Sequence, residues 1–144
     1  MKIMVESANL PETEVIIRGD VTGDEISSLL KLLRIKNSEK LVLCKEEEQF
    51  IIAVRDIVYI ETGGSRVLVH THDNTYESKE KLYELRDQLS AHAFVQINKS
   101  TLVNIDCVKS IQAEFSGNFC IRLKQRKETL VVSRKYFKAF KESI

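Results

Sequence analysis

Short apolar runs separated by polar turns dominate the chain after residue 40. These runs are rich in β-branched and aromatic residues, which are typical of strands. They predict strands at residues 41–44, 50–54, 57–60, 67–71, 75–77, 94–97, 101–103, 108–114, 119–123 and 129–132. Gly63-Gly64-Ser65 and Ser116-Gly117-Asn118 provide turn residues between them. The spacing predicts a mainly β (α+β) fold of layered or barrel-like antiparallel sheets.

Two helices are predicted among and after these strands. Ser78 is placed to cap a helix that ends near Leu89, with Leu82, Leu85 and Leu89 on its inner face. A last helical turn or two is predicted after Ser133, where apolar contacts come from Tyr136, Phe137 and Phe140.

The first 38 residues have a different pattern. Ile3-Met4-Val5 and Glu14-Val15-Ile16-Ile17-Arg18 predict two short strands. A capping box at Thr22-Gly23-Asp24-Glu25 then precedes a helical stripe. The stripe consists of Ile26, Leu29, Leu30 and Leu33. We therefore predict a β-β-α segment over residues 1–38 and a second domain over residues 39–144.

The helical stripe raises the question of what covers it. Fewer than about 40 residues seldom form an independent core. The stripe is therefore expected to pack on the rest of the chain or on another subunit. We expect the 1–38 segment to mediate a homodimer.

Composition excludes several classes of protein. The chain has 144 residues, of which 43% are hydrophobic and 30% are charged, as in ordinary globular proteins. No apolar run approaches the roughly 18 residues of a membrane span. Glu6 follows the start at once and no apolar h-region is present, so a signal peptide is not expected. These features predict a cytoplasmic protein in which Cys44, Cys107 and Cys120 are buried free thiols.

Charge is distributed unevenly along the chain. Residues 1–50 carry seven Lys or Arg against ten Asp or Glu, a net charge of −3. Residues 51–144 carry 15 against 11, a net charge of +4. From Lys99 onward the net charge is +6, with ten bases and four acids. A basic carboxyl-terminal half is compatible with a polyanionic partner, and equally with a solvated lysine-rich surface.

The sequence contains no arrangement that requires catalysis. His70 and His72 are two residues apart on a predicted strand and could share a face, but no third ligand lies near them at usual spacing. Ser65, Ser116 and Ser133 lack the G-x-S-x-G elbow of a nucleophile. The chain is therefore predicted not to be an enzyme, and no metal, cofactor or small-molecule substrate is expected.

Three polar turns carry the side chains that suit DNA. They contain Ser65-Arg66, Asn98-Lys99-Ser100 and Arg134-Lys135. Arg can contact guanine bidentately and Asn can contact adenine in the same way, whereas Lys and Ser can hold phosphates. Polar turns are common in any soluble protein, so this pattern alone favours ordinary solvated turns.

At these residues the chain resembles the LytTR family of bacterial DNA-binding domains. The resemblance covers residues 41–140 and rests on five segments that occur in the family's order. They are Asp56-Ile57-Val58-Tyr59-Ile60-Glu61, Tyr76-Glu77-Ser78 with Leu82-Tyr83-Glu84-Leu85, Phe94-Val95-Gln96-Ile97-Asn98-Lys99-Ser100-Thr101-Leu102-Val103-Asn104, Val108-Lys109-Ser110-Ile111, and Val132-Ser133-Arg134.

The resemblance implies a regulator that inserts edge loops into successive major grooves at promoter repeats. It assigns DNA contacts to Ser65 and Arg66, to Asn98 with Lys99 and Ser100, and to Arg134. Ser65 stands where family members often carry His or Lys. The short segment before the domain is similar to that of small stand-alone LytTR regulators without a receiver domain, for which a small membrane-protein partner is expected.

Two functions therefore remain as hypotheses from the sequence. The first is sequence-specific binding of double-stranded DNA in transcriptional regulation, by a homodimer on repeated half-sites. The alternative is a protein–protein interaction module whose amino-terminal segment docks a membrane or cytosolic partner.

Overall fold

The computed structural model describes residues 1–20 and 22–144, with residues 34–38 described through their backbone alone. Within this part of the chain the α-helices are α1 (Asp24–Ser38), α2 (Leu82–Gln88) and α3 (Arg134–Ser143). The strands are β1 (Lys40–Lys45), β2 (Glu48–Ala53), β3 (Ile57–Gly63), β4 (Arg66–Thr71), β5 (Thr75–Ser78), β6 (Phe94–Asn98), β7 (Thr101–Asn104), β8 (Val108–Ala113), β9 (Phe119–Leu123) and β10 (Thr129–Val132). All ten strands predicted after residue 40 are confirmed, and so is the mainly β fold class.

The strands form two antiparallel sheets. The larger has seven strands in the order β2-β1-β5-β4-β3-β7-β6, and the smaller has three in the order β10-β9-β8. β7 is buried throughout, and its neighbouring residues Leu102 and Val103 belong to different core clusters. Because successive side chains on a strand point to opposite faces, the large sheet is covered on both sides.

Each face of the large sheet has its own core. On one face, Leu85 of α2 and Leu89, directly after the helix, are fully buried among sheet residues that include Ile60 and Leu102. On the other, the small sheet and α3 pack against the large sheet, and Phe140 of α3 is fully buried. The result is a layered molecule in which α3 is fixed against the strands beneath it.

The start of α2 and the length of α3 differ from the sequence predictions. Ser78 is the last residue of β5, paired with Val67, and its hydroxyl accepts a hydrogen bond from the Glu80 amide. α2 begins later, at Leu82, so the predicted cap at Ser78 is wrong. α3 runs for ten residues, longer than the predicted turn or two, because Phe137 and Phe140 anchor its inner face.

The two strands predicted before α1 are wrong. Residues 1–20 are all described, and none of them lies in a strand. Ile3, Val15 and Ile16 are 79%, 66% and 66% exposed. An isolated strand without a hydrogen-bonding neighbour gains little stability, so β propensity alone does not produce one.

The predicted helix of the amino-terminal segment is confirmed as α1. It begins one residue later than the capping box indicated, with Ser27 N donating to Gly23 O, while the Thr22 hydroxyl donates to Asp20 Oδ1. Ile26 is buried, whereas Leu30 and Leu33 are each 38% exposed. The apolar stripe is therefore only partly covered by its own chain. No α-helix among the described residues is long and apolar enough to cross a bilayer.

Candidate nucleic-acid interface

One end of the molecule collects the turns in which the candidate residues lie. In the large sheet, Gly63 pairs with Arg66, Glu61 with Thr101, and Val67 with Ser78. The β3–β4 and β6–β7 turns therefore leave the same end of the sheet. We call this end the loop edge, defined by residues 63–66, 98–101, 114–118 and 131–135.

Backbone hydrogen bonds hold the first two turns of the loop edge together. Thr62 N, just before the β3–β4 turn, donates to Ser100 O at 2.9 Å. Ser65, Arg66 and Lys99 are exposed, and Ser100 is half-buried. The bond brings two of the three predicted polar turns side by side, with their side chains open to solvent.

Asn98 fastens the β6–β7 turn to the small sheet. Its Nδ2 donates to Val131 O at 2.8 Å. Its Oδ1 accepts from Ser100 N at 2.9 Å and from Ser100 Oγ at 3.0 Å. A side-chain carbonyl has two lone pairs, so both are used within the chain. Asn98 thus holds the β6–β7 turn in place through its side chain. The second hydrogen of its Nδ2 group can still be donated to another acceptor.

The β10–α3 junction lies directly beside this turn. Ser133 N donates to Ile97 O at 3.0 Å, and α3 begins at the next residue. Arg134 and Lys135 are both exposed there, and Lys135 Nζ lies 5.7 Å from the centre of the Tyr136 ring. The hydrogen bonds from Asn98 and Ser133 join the third predicted turn to the second.

Arg134 rests on the β8–β9 turn. A Cβ added to Gly117 would lie 3.1 Å from Arg134 Cδ and 3.2 Å from Nε, so the guanidinium side chain passes directly over the glycine. Gly117 also has φ of +88°, a conformation that side-chain-bearing residues rarely adopt. Arg134 N donates to Asn118 Oδ1 at 3.4 Å. This packing gives the exposed guanidinium a defined position.

Arg66 differs from the other bases of the loop edge because it is paired. Its Nη2 lies 2.8 Å from Glu77 Oε2 on the neighbouring strand β5. The hydrogen bond from Arg66 lowers the pKa of Glu77, and the carboxylate in turn raises the pKa of Arg66. Both side chains are well exposed, so this pair contributes little to stability. The pair acts on the local charge instead, because the Glu77 carboxylate offsets the positive charge that Arg66 presents to solvent.

All seven residues proposed from the sequence lie at the loop edge, which also contains residues that sequence reasoning missed. Gly117 and Asn118 support Arg134, and Phe115 in the same turn is fully exposed. The Ser116-Gly117-Asn118 turn was visible in the sequence, but its contact with Arg134 was not. Beside Lys99, Tyr83 and Arg86 of α2 line a shallow groove and add further polar surface.

The histidines form no common site. His70 Nδ1 lies 3.0 Å from Thr75 Oγ1 and Nε2 lies 3.2 Å from Glu61 Oε1, while the ring stacks on Tyr59. His72 follows the end of β4 at Thr71, so the prediction that both histidines share a strand face is wrong. Within residues 1–20 and 22–144, no three His, Cys, Asp or Glu side chains gather as metal ligands.

The model of the LytTr DNA-binding domain family matches residues 47–144. The chain belongs to the LytTR family. It is 30% identical over 139 residues to an uncharacterized HTH-type transcriptional regulator of Staphylococcus aureus (strain bovine RF122 / ET3-1), covering 96% of this chain and 93% of that protein. It is 34% identical over 106 residues to the sensory transduction protein LytT of Oceanobacillus iheyensis, covering 72% of this chain and 43% of that one.

A solved LytTR structure shares the fold. The LytTr DNA-binding domain of a Bacillus cereus protein superimposes with a TM-score of 0.68 at 20% identity, covering 74% of this chain and 97% of that one. The match confirms the layered antiparallel architecture expected from the sequence resemblance.

Proposed function

We propose that this LytTR protein is a sequence-specific regulator of transcription that binds double-stranded DNA in the cytoplasm through its loop edge. The observation that carries the proposal is the hydrogen-bonded linkage of the turns that hold Arg66, Lys99 and Arg134. Turns that project from one end of a rigid sheet can reach the major groove, which is about 12 Å wide. Family membership and the regulators among the relatives support the same function.

The residues of the loop edge divide into base readers and phosphate contacts. Arg134 is the proposed base reader, because its supported guanidinium can donate two parallel hydrogen bonds to guanine O6 and N7. Lys99 and Lys135 are proposed to hold phosphates, and Ser65 and Arg66 to contact the DNA beside them. Ser100 is proposed to act by holding the turn, because its N–H and its hydroxyl hydrogen are both donated to Asn98 Oδ1. Phe115 is placed to make an apolar contact with a thymine methyl group.

Asn98 has a narrower proposed role than bidentate adenine recognition. Such recognition needs Oδ1 to accept from adenine, but both lone pairs already accept from Ser100. We propose that Asn98 holds the turn and donates its remaining Nδ2 hydrogen to one DNA acceptor. Specificity then depends on Asn98 chiefly through the geometry of the turn.

We predict different effects for Asn98→Ala and Lys99→Ala. Lys99→Ala should weaken binding to specific and random duplexes alike and reduce the salt slope by about one, since it removes one phosphate contact. Asn98→Ala should weaken the specific duplex more, because it releases the turn from Val131. Fluorescence anisotropy on both duplexes measures this, with circular dichroism to establish folding. Equal losses on both duplexes for Asn98→Ala would contradict the proposed role.

We predict that Glu77→Gln strengthens DNA binding. The substitution removes the carboxylate charge that opposes Arg66, leaving the guanidinium to interact with phosphate. The salt slope should become steeper by about one phosphate contact. The control is Glu142→Gln at the far end of α3, which should change affinity little. A Glu77→Gln protein that binds as weakly as the parent would show that Arg66 does not face DNA.

The proposed function is tested by selecting duplexes from a random pool with the purified protein. A shared sequence should emerge, and affinity for it should fall steeply with salt as counterions are released. The alternative function is docking of a membrane or cytosolic protein through residues 1–38, which the exposed Val15 and Ile16 favour. An apolar contact of that kind would depend weakly on salt, and the selection would then yield no shared sequence.

We also propose that the protein acts as a homodimer on repeated half-sites, with residues 1–38 as its self-association segment and residues 39–144 as the DNA-binding domain. The half-exposed α1 stripe at Leu30 and Leu33 supports this division. A small membrane-protein partner remains a further proposal for the same segment.

A further inference from the structure

One edge of the large sheet, strand β2, combines exposed apolar side chains with an unpaired backbone. β2 is the first strand in the sheet order and, among the described residues, pairs only with β1. Ile51 of β2 and its cross-strand partner Val42 are 71% and 62% exposed. Long apolar edge strands are ready templates for an added strand, and proteins usually block them.

The same chain carries a segment with the complementary properties. Residues 14–18 read Glu-Val-Ile-Ile-Arg, a strand pattern by composition, yet they lie outside any strand. Val15 and Ile16 are each 66% exposed. This segment lacks a neighbouring strand, and within residues 1–20 and 22–144 the outer backbone edge of β2 has no strand paired with it.

We propose that residues 14–18 of a second copy of this chain add as an antiparallel strand to β2. In the single chain, Val15, Ile16 and Arg18 are exposed and Ile17 is half-buried. In the part of the chain that the structure describes, no strand pairs with the outer side of β2, so each segment is available to the other copy. A reciprocal exchange uses the same patch on both copies and closes as a twofold dimer. The proposal does not depend on DNA binding, and it specifies a contact for the homodimer.

Charge favours the antiparallel direction. With Arg18 opposite Glu48, Val15 lies opposite Ile51 and Ile16 opposite the half-buried Phe50. Opposite charges and paired apolar side chains across strands are both favourable. A parallel arrangement would bring Glu14 towards the acidic residues Glu46, Glu47 and Glu48. The antiparallel register therefore gives Arg18, Val15 and Ile16 complementary partners, while Glu14 lies opposite Ile52 and Ile17 opposite Gln49.

β8, one of the two outer strands of the small sheet, is a poorer acceptor than β2. It carries Lys109, which would repel Arg18, and its Ile111 is only 37% exposed. This strand provides a matched control for substitutions in β2.

The self-association of full-length variants tests the contact by sedimentation velocity. Ile51→Lys should raise the dimer Kd by about tenfold or more, since each copy contributes one such contact. The matched Ile111→Lys should leave it unchanged. Arg18→Glu should weaken the dimer, and the double variant Arg18→Glu with Glu48→Arg should restore it. A parent that is monomeric at all concentrations, or an Ile51→Lys protein that dimerises like the parent, would overturn the proposal.

A disulfide experiment shows whether the strand that adds to β2 comes from a second copy or from the same chain. Val15→Cys with Ile51→Cys should give, on oxidation, a covalent dimer whose peptide map joins the two introduced thiols. A link within one chain would overturn the second-copy proposal, because the segment would then add to its own sheet. Anisotropy on DNA is measured separately, so loss of the dimer contact is distinguishable from failure of DNA recognition.

Discussion

Arg134→Ala is expected to cost about 1–3 kcal/mol in binding to the selected duplex, roughly 5- to 150-fold in Kd. The guanidinium lies over Gly117 at the beginning of α3, which places its two-pronged donor set at the loop edge. Loss of that donor set removes discrimination at one base pair as well as affinity. Binding to random duplex should fall less, because only one positive charge is lost.

Two control variants separate charge from recognition. Arg134→Lys keeps the charge but not the planar pair of donors, so it should retain random-duplex binding and lose specificity. Lys141→Ala removes one charge in the last turn of α3 and should change specific binding little. An Arg134→Ala protein that binds the selected duplex as tightly and selectively as the parent would show that Arg134 is not a base reader.

Phe140→Ala is expected to lower the free energy of unfolding by about 3–5 kcal/mol, as for other large-to-small substitutions of buried aromatic residues. Phe140 is fully buried between α3, the small sheet and β6. Its loss leaves a cavity and loosens the helix that begins with Arg134, so DNA affinity should also fall.

Chemical denaturation measures the stability change, and Phe115→Ala is the matched control. Phe115 is fully exposed, so its truncation should leave the free energy of unfolding nearly unchanged. A Phe140→Ala protein within about 1 kcal/mol of the parent would mean that α3 is not anchored by this side chain.

The strands of the DNA-binding domain were predictable because their patterns are local and mutually consistent. Runs such as 67–71 and 119–123 combine β-branched residues with clear turn signals, and the fold provides each with a neighbour. The same reasoning failed at residues 3–5 and 14–18, where the composition is strand-like but no neighbouring strand is present within the described chain. Propensity predicts what a segment can form, and pairing decides whether it forms.

The site was predictable only in part. The spacing of polar turns favoured ordinary loops, and only the LytTR resemblance assigned DNA contacts to three of those turns, an assignment that stays a prediction. Neither the spacing nor the resemblance predicted the long-range contacts that hold these turns together. Asn98 bonds a backbone carbonyl 33 residues away, and Arg134 packs on Gly117 in a turn from another hairpin. Such contacts depend on how two sheets meet, which the local pattern does not encode.

Mapping the DNA-bound surface by amide chemical shifts tests the central claim most directly. A competing polar surface exists near Lys45, His72 and Arg126, where Lys45 Nζ donates to Asn74 Oδ1 at 2.8 Å. With the selected duplex, the account predicts the largest shifts at residues 63–66, 98–101, 114–118 and 131–135. Shifts centred on Lys45, His72 and Arg126, with the loop edge unchanged, would contradict it.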